Sequence, residues 1–367
     1  MKTADVLIIG GGIIGCSIAL DLSRAGIQVL LLERDRLGCE ASGEAAGMLA
    51  PQAEGLPPGP FLDLALKSRQ MFAPLQELLK AETGIDIEYV RSGILYLLLT
   101  EEDEAHGTRM IAQQGGRGLT VERWDSKQVL EAEPDVTPAI RGAVYLPDDH
   151  QVQNARMVRA LSLAGARRGV QYLEGSPVSG LVRDRDRVIG VRSPTGTYHA
   201  GKVVIAAGAW SGMFGELLDR EIPIRPARGQ LLSVETHGDL CRHILYSREV
   251  YCVPRVSGEL VVGTTTEFAG FEKRVTAAAI EGLLGAARGV VPALGTRPLL
   301  KVWAGFRPWT PDELPFLGAV PGAPGCYIAS GHHRNGILLA PVTGQLMAEL
   351  LRDEQPALSL DPFRLHR

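Results

Sequence analysis

The opening of the chain, with Gly10, Gly12 and Gly15 in IIGGGIIG, leaves few folds open to it. An apolar run at 6–9 comes before these glycines and reads as a buried parallel strand, and a helical pattern through Ile18, Ala19 and Leu22 comes after them. A second apolar run at 29–32 closes on Glu33. Each position has a physical task. The first glycine permits the tight strand-to-helix turn, the second lets backbone approach a pyrophosphate, and the third lets helix and strand pack closely. The helix N-terminus attracts phosphate, and the acid at 33 is placed to accept a ribose hydroxyl. The turn is built to hold a dinucleotide.

Composition narrows the setting. At 367 residues, 45% hydrophobic and 22% charged, the chain suits two domains of an ordinary globular protein. A net charge of −4 gives no reason to expect nucleic acid or an anionic membrane as partner. Five scattered cysteines, with no CxxC pair, fit free thiols in the cytoplasm better than a disulfide framework or a zinc site. The apolar start is interrupted by GGG and lacks the basic flank of a signal peptide, and no run reaches the roughly 20 apolar residues of a membrane span.

Periodicity orders the rest. A Gly-, Ala- and Pro-rich stretch at 38–60 reads as loop with a short helix near 42–48; helical spacing fills 61–81. Residues 85–100 alternate like a strand pair turning near 91–93, the entry to a sheet-based second domain. A helix at 154–169, short strands over 171–198 and a buried strand at 203–207 return to the first domain. YCVPRVSGELVVG reads as a hairpin turning at Ser257 and Gly258, and a helix spans 276–291 before Pro292. A strand at 326–329, a glycine-bounded loop and a helix at 337–351 finish the chain. The expected class is α/β. Residues 1–82, 143–220 and 300–367 form a Rossmann-like dinucleotide domain, a parallel sheet with a β-meander. Residues 83–142 and 221–299 form an α+β substrate domain with a mainly antiparallel sheet.

This discontinuous arrangement, with ASGEAAGML at 41–49 and GHHRNGILLAPVTG at 331–344, resembles the D-amino-acid oxidase superfamily of FAD proteins. Within it the chain is most similar to the bacterial glycine oxidases of thiamine biosynthesis, through SGEAAGMLAPQAE, GIDI, VVIAAGAWSGMF, GQLLSV, YCVPR, LVVGTT, WAGFRPWTPDELPFLG and HRNGILLAP. The resemblance implies non-covalent FAD, since the spot where sarcosine oxidases tether the flavin to cysteine falls near Gly305. It implies that Ile13, Ile14, Glu33 and Arg34 hold the pyrophosphate and adenosine, with Val178 at the adenine. Ala41, Ser42, Ala46, Gly47 and Met48 would lie along the ring and ribityl chain, with Ala207 and Gly208 beside them. His332, His333, Arg334, Asn335, Gly336, Ile337 and Leu338 would face the pyrimidine edge. A helix starting near Gly336 has its own reason to be there, because its positive end favours the charge that collects at N1 and C2=O of reduced flavin.

For the substrate, Arg307 in WAGFRP is the expected carboxylate anchor, Tyr251 a second contact and Arg334 a third. No metal is expected from the histidines, and no GxSxG supports a serine nucleophile. The activity implied is oxidative deamination of glycine or a small N-substituted relative. Hydride passes to flavin N5 and O2 reoxidises the flavin, giving an oxo acid, ammonia or an amine, and H2O2; the protein's residues supply orientation and no catalytic base. The alternatives are a dehydrogenase using another acceptor, or an oxidase of larger N-substituted amino acids. Thr266, Glu249, His333 and Trp309 depart from the glycine oxidase pattern and are expected near the substrate. Homo-oligomers are common among such relatives, which makes a homo-oligomer the expectation here.

Overall fold

The computed structural model describes residues 2–238 and 240–367. Its first sheet has the opening strand Lys2–Ile9 at its heart, with Val29–Leu32 and Gly196–Ile205 parallel on either side. Gln171–Leu173 extends one edge and Cys326–Ser330 the other, both parallel, and Phe316–Ala319 closes the sheet antiparallel. Strands buried on both faces must be apolar throughout, which is why VLII and VLLL carry no alternation.

Helices cover one face. Ile13–Arg24 starts directly after Gly12, and the C-terminal helix Gly336–Leu351 packs beside it. Pro341 interrupts that second helix, and Ser68 repairs the ladder there: its hydroxyl donates to Leu338 O at 2.6 Å and accepts from Val342 N at 3.3 Å. The antiparallel meander Gly180–Asp184, Arg187–Ser193 and Gly196–Ile205 adjoins the sheet, and Leu181, Val188 and Val191 join the core of its other face.

The second sheet has eight strands in the order Leu299–Trp309, Arg225–Glu235, Glu259–Gly263, Tyr251–Pro254, Ile244–Tyr246, Ile94–Leu98, Gly142–Leu146, Glu122–Asp125. Only the pairing of Ile244–Tyr246 with Ile94–Leu98 is parallel. Helix Ala277–Val290 buries Leu283, Ala287 and Val290 against its inner strands. A two-stranded ribbon, Met48–Leu49 with His150–Gln151, bridges the region between the sheets.

Two expectations change. The domain edges at 143 and 300 fall inside the strands Gly142–Leu146 and Leu299–Trp309, which pair in the second sheet and not in the first. The strand pair over 85–100 is one strand, Ile94–Leu98, preceded by a single bridge from Val90 to Gln151. The segment at 61–81 is helical as expected, in two pieces, Pro60–Gln70 and Phe72–Thr83.

Candidate active site

A long cavity follows the C-terminal ends of the parallel strands and ends under the second sheet. This is where open α/β sheets hold ligands. Gly10, Gly12, Ile13 and Ile14 line it from the opening turn, Glu33 and Arg34 from the next strand end, and Val178, Ala207 and Gly208 from further strands. Gly10 has φ +110°, and a Cβ there would stand 2.4 Å from Ala206 O. Gly15 lies behind the cavity wall, where a Cβ would meet Gly10 O at 2.0 Å; its work is the helix–strand contact.

The helix beginning at Ile13 has no acidic residue in its first turn, and Ser42 Oγ accepts from Ile13 N at 2.9 Å. Glu33 accepts from Gly11 N at 2.7 Å and Asp35 N at 2.9 Å, so backbone fixes the carboxylate at the cavity edge. The Arg34 guanidinium lies 3.5 Å over the Trp210 ring.

Along the middle, Ala41, Ser42, Ala46, Gly47 and Met48 form one wall. Behind them sits a half-buried guanidinium. Arg255 donates to Ala46 O at 2.6 Å, Val152 O at 2.9 Å and Gln151 Oε1 at 3.2 Å, and burial lowers its pKa to about 10. Opposite lie His332, His333, Arg334, Asn335, Gly336 and Ile337. Leu338, expected here, is turned into the core, because the helix has rotated it off the cavity face. No acidic residue occupies that helix's first turn and no side chain caps it, so its positive end is open to the cavity.

The far end gathers the polar groups expected at the substrate. Arg307 Nη2 donates to Thr264 Oγ1 at 2.8 Å and Nη1 to Thr265 O at 3.0 Å. Among the described residues no carboxylate forms an ion pair with it, and burial lowers its pKa. Two glycines make room: a Cβ on Gly229 would stand 2.5 Å from Arg307 Nη1, and one on Gly263 would stand 2.6 Å from Tyr251 Oη. Burial raises the Tyr251 phenol above its usual range, against the pull of Arg307 and Thr264.

Arg334 reaches this end too, and Glu54 grips it: Nε to Oε2 is 2.8 Å and Nη2 to Oε1 is 2.9 Å. Burial, and then the neighbouring Arg307 and Arg334, press the pKa of His333 down to about 3. Burial alone does the same for His332, whose Nε2 meets Thr343 Oγ1 at 3.1 Å. Both rings are neutral near pH 7.

A match to the DAO family, described as FAD dependent oxidoreductase, covers residues 5–350. The chain belongs to this family of FAD-dependent oxidoreductases. It is 35% identical to the glycine oxidase of Geobacillus kaustophilus over 99% of this chain and 97% of that protein. It is 34% identical to the hydrogen cyanide synthase subunit HcnC of Pseudomonas aeruginosa over 99% of this chain and 95% of that one. The crystal structure of the Geobacillus kaustophilus glycine oxidase superposes with a TM-score of 0.96 at 35% identity, covering 100% of this chain and 99% of that chain.

The cavity fits the family's cofactor on its own terms. A glycine turn leading into a helix with no acidic residue in its first turn suits a diphosphate; a Cβ at Gly12 would project toward Ser42 Oγ, 3.2 Å away. The second open helix end suits an electron-rich ring edge.

Of the four positions that depart from the glycine oxidase pattern, only His333 lines the cavity. Trp309 packs edge-on to Phe268 under Arg225, and Glu249 is exposed. Sequence reasoning missed Thr264, Glu54, Trp210, Gly229 and Gly263, which all belong to the site or carve it. Gly229 and Gly263 stand in the motifs GQLLSV and LVVGTT, so a signal was present. Its meaning depends on which side chain crosses each glycine.

Proposed function

We propose that this FAD-dependent oxidoreductase oxidises glycine or a small N-substituted glycine at the α-carbon. The products are an oxo acid and ammonia or an amine, with O2 as acceptor yielding H2O2. One observation carries this reading: Arg307 is a half-buried guanidinium with no carboxylate ion-paired to it among the described residues, at the end of the cavity where the flavin ring would lie. An unneutralised, half-buried cation asks for an anion, and its planar fork matches a carboxylate. FAD, when bound, supplies the two-electron acceptor.

The chain's residues orient and exclude. Arg307 pins the carboxylate while Thr264 and Thr265 fix the plane of its guanidinium. The Tyr251 hydroxyl adds a contact from the neighbouring hairpin. Neutral His332 and His333 add no positive charge to the pocket and take no proton near pH 7. The substrate must therefore arrive with its amine already neutral.

We assign the adenosine and diphosphate to Gly10, Gly12, Ile13, Ile14, Glu33, Arg34 and Val178, and the ring and ribityl chain to Ala41, Ser42, Ala46, Gly47, Met48, Ala207, Gly208 and residues 332–337. The lining of one continuous cavity supports this assignment. On the same reading the first sheet is the FAD unit and the second sheet the substrate unit. Free cysteines among the described residues favour a reducing, cytoplasmic setting. No helix of the described residues is long and apolar enough to cross a membrane. Exposed Leu299, Leu300 and Val302 on a sheet edge support self-association into a homo-oligomer, which light scattering checks.

An oxygen electrode with a peroxide assay tests the function. Glycine or sarcosine should consume O2 and release an equal amount of H2O2. Substrate-dependent flavin reduction with no O2 uptake would replace the oxidase with a dehydrogenase.

A further inference from the structure

Arg307, Arg334 and Glu54 line the cavity together, close enough for both guanidinium groups to act on the carboxylate. Their pairing is unequal. Glu54, only 11% exposed, takes two sides of the Arg334 fork, and Tyr246 Oη accepts from the same Nη2 at 2.9 Å. Arg307 has no such carboxylate among the described residues. With His333 neutral, Arg307 is the charged group of these three left without an ion-pair partner among the described residues.

We propose that Glu54 is a specificity-determining residue: by occupying Arg334 it restricts the site to amino acids with a single anionic group and rejects those whose N-substituent carries a second carboxylate. The inference rests on the amino-acid oxidation proposed above. A mono-anion neutralises Arg307 and leaves the Glu54–Arg334 pair intact. A dicarboxylate must seat its second group beside Glu54, a like charge in a poorly solvated place, or displace Glu54 from a bidentate pair. Glycine and small N-alkyl glycines fit that rule, and iminodiacetate does not.

The test compares wild-type holoenzyme with Glu54→Gln, which keeps the shape and removes the charge. The first readout is the ratio of kcat/KM for iminodiacetate to that for glycine. The second is binding of malonate and acetate, which are not oxidised, followed by perturbation of the visible flavin spectrum. Wild type should favour glycine and bind malonate no tighter than acetate. Glu54→Gln should raise the iminodiacetate-to-glycine ratio at least tenfold and tighten malonate at least tenfold relative to acetate.

If Glu54 only props up Arg334, both substrates will weaken together and the ratio will stay within twofold, which overturns the proposal. Wild type preferring iminodiacetate, or binding malonate tighter than acetate, also overturns it; that comparison stands even if the variant loses FAD. Should neither amine reduce the wild-type flavin, the oxidase reading fails, while malonate against acetate still decides the charge argument.

Discussion

At Gly229 a single added methyl would push against the Arg307 guanidinium, with 2.5 Å between Cβ and Nη1. Gly229→Ala should therefore displace the carboxylate anchor without touching the dinucleotide turn: KM for glycine rises by roughly tenfold or more, as expected for a misplaced charge-assisted bond. FAD content, read from the visible spectrum, should be unchanged. Arg307→Lys is the companion test. Lysine keeps the charge and loses the planar fork, so KM should rise by about 10- to 100-fold at retained FAD; an unchanged KM removes Arg307 from the site. At this scale the sequence was readable where chemistry is local. The spacing of Gly10, Gly12, Gly15 and Glu33, and an arginine among Trp303, Phe306 and Pro308, announce themselves. Glu54 and Thr264 do not, because their importance comes from the arginines they meet, 280 and 43 residues away along the chain.

At the scale of elements, the hairpin that carries Tyr251 is tied to the flavin-facing turn by one side chain. Arg255 sits at the end of the strand Tyr251–Pro254 and donates to Ala46 O, Val152 O and Gln151 Oε1. A lysine cannot span three acceptors set apart in this way. Arg255→Lys should loosen the 46–48 turn and raise the FAD dissociation constant by about tenfold, the worth of one or two lost charge-assisted bonds; ultrafiltration with flavin fluorescence measures it. Elements with a clean period were legible: the hairpin turning at Ser257 and Gly258, and the helix Ala277–Val290. The stretch before Ile94 was not. Its residues alternate, yet its backbone bonds, Val90 with Gln151 and Ile87 O with Gln153 N, serve the ribbon between the sheets and make no second strand. The break at Pro341 is likewise invisible locally, since the hydroxyl that mends it comes from Ser68 on another helix.

The whole molecule should be sensitive to acid. His332 and His333 are buried and hold folded-state pKa values of about 3, below the ordinary value of 6.5. The unfolded chain binds more protons between those limits, so stability is fully present above pH 6.5 and is lost as pH falls toward 3. Each histidine costs about 1.4 kcal/mol per pH unit in that window. The Tm of the holoenzyme should drop steadily below pH 6.5, and replacing His333 with Phe should flatten part of that slope. The two-sheet plan follows from apolar runs for the first sheet and alternation for the second, but the edges expected at 143 and 300 fell inside strands of the second sheet, because the sheet a strand joins is set by its partner, Arg225–Glu235 for Leu299–Trp309. The central claim is that one cavity joins a dinucleotide turn to a lone guanidinium, so that FAD and a small amino acid meet there. Anaerobic titration of the purified protein with glycine and sarcosine, followed in the visible spectrum, tests it most directly. A yellow protein whose flavin bands bleach with saturation, and whose Arg307→Lys variant needs far more substrate to bleach, is the expected result. A protein that binds no flavin, or a bound flavin that no small amino acid bleaches, contradicts the account.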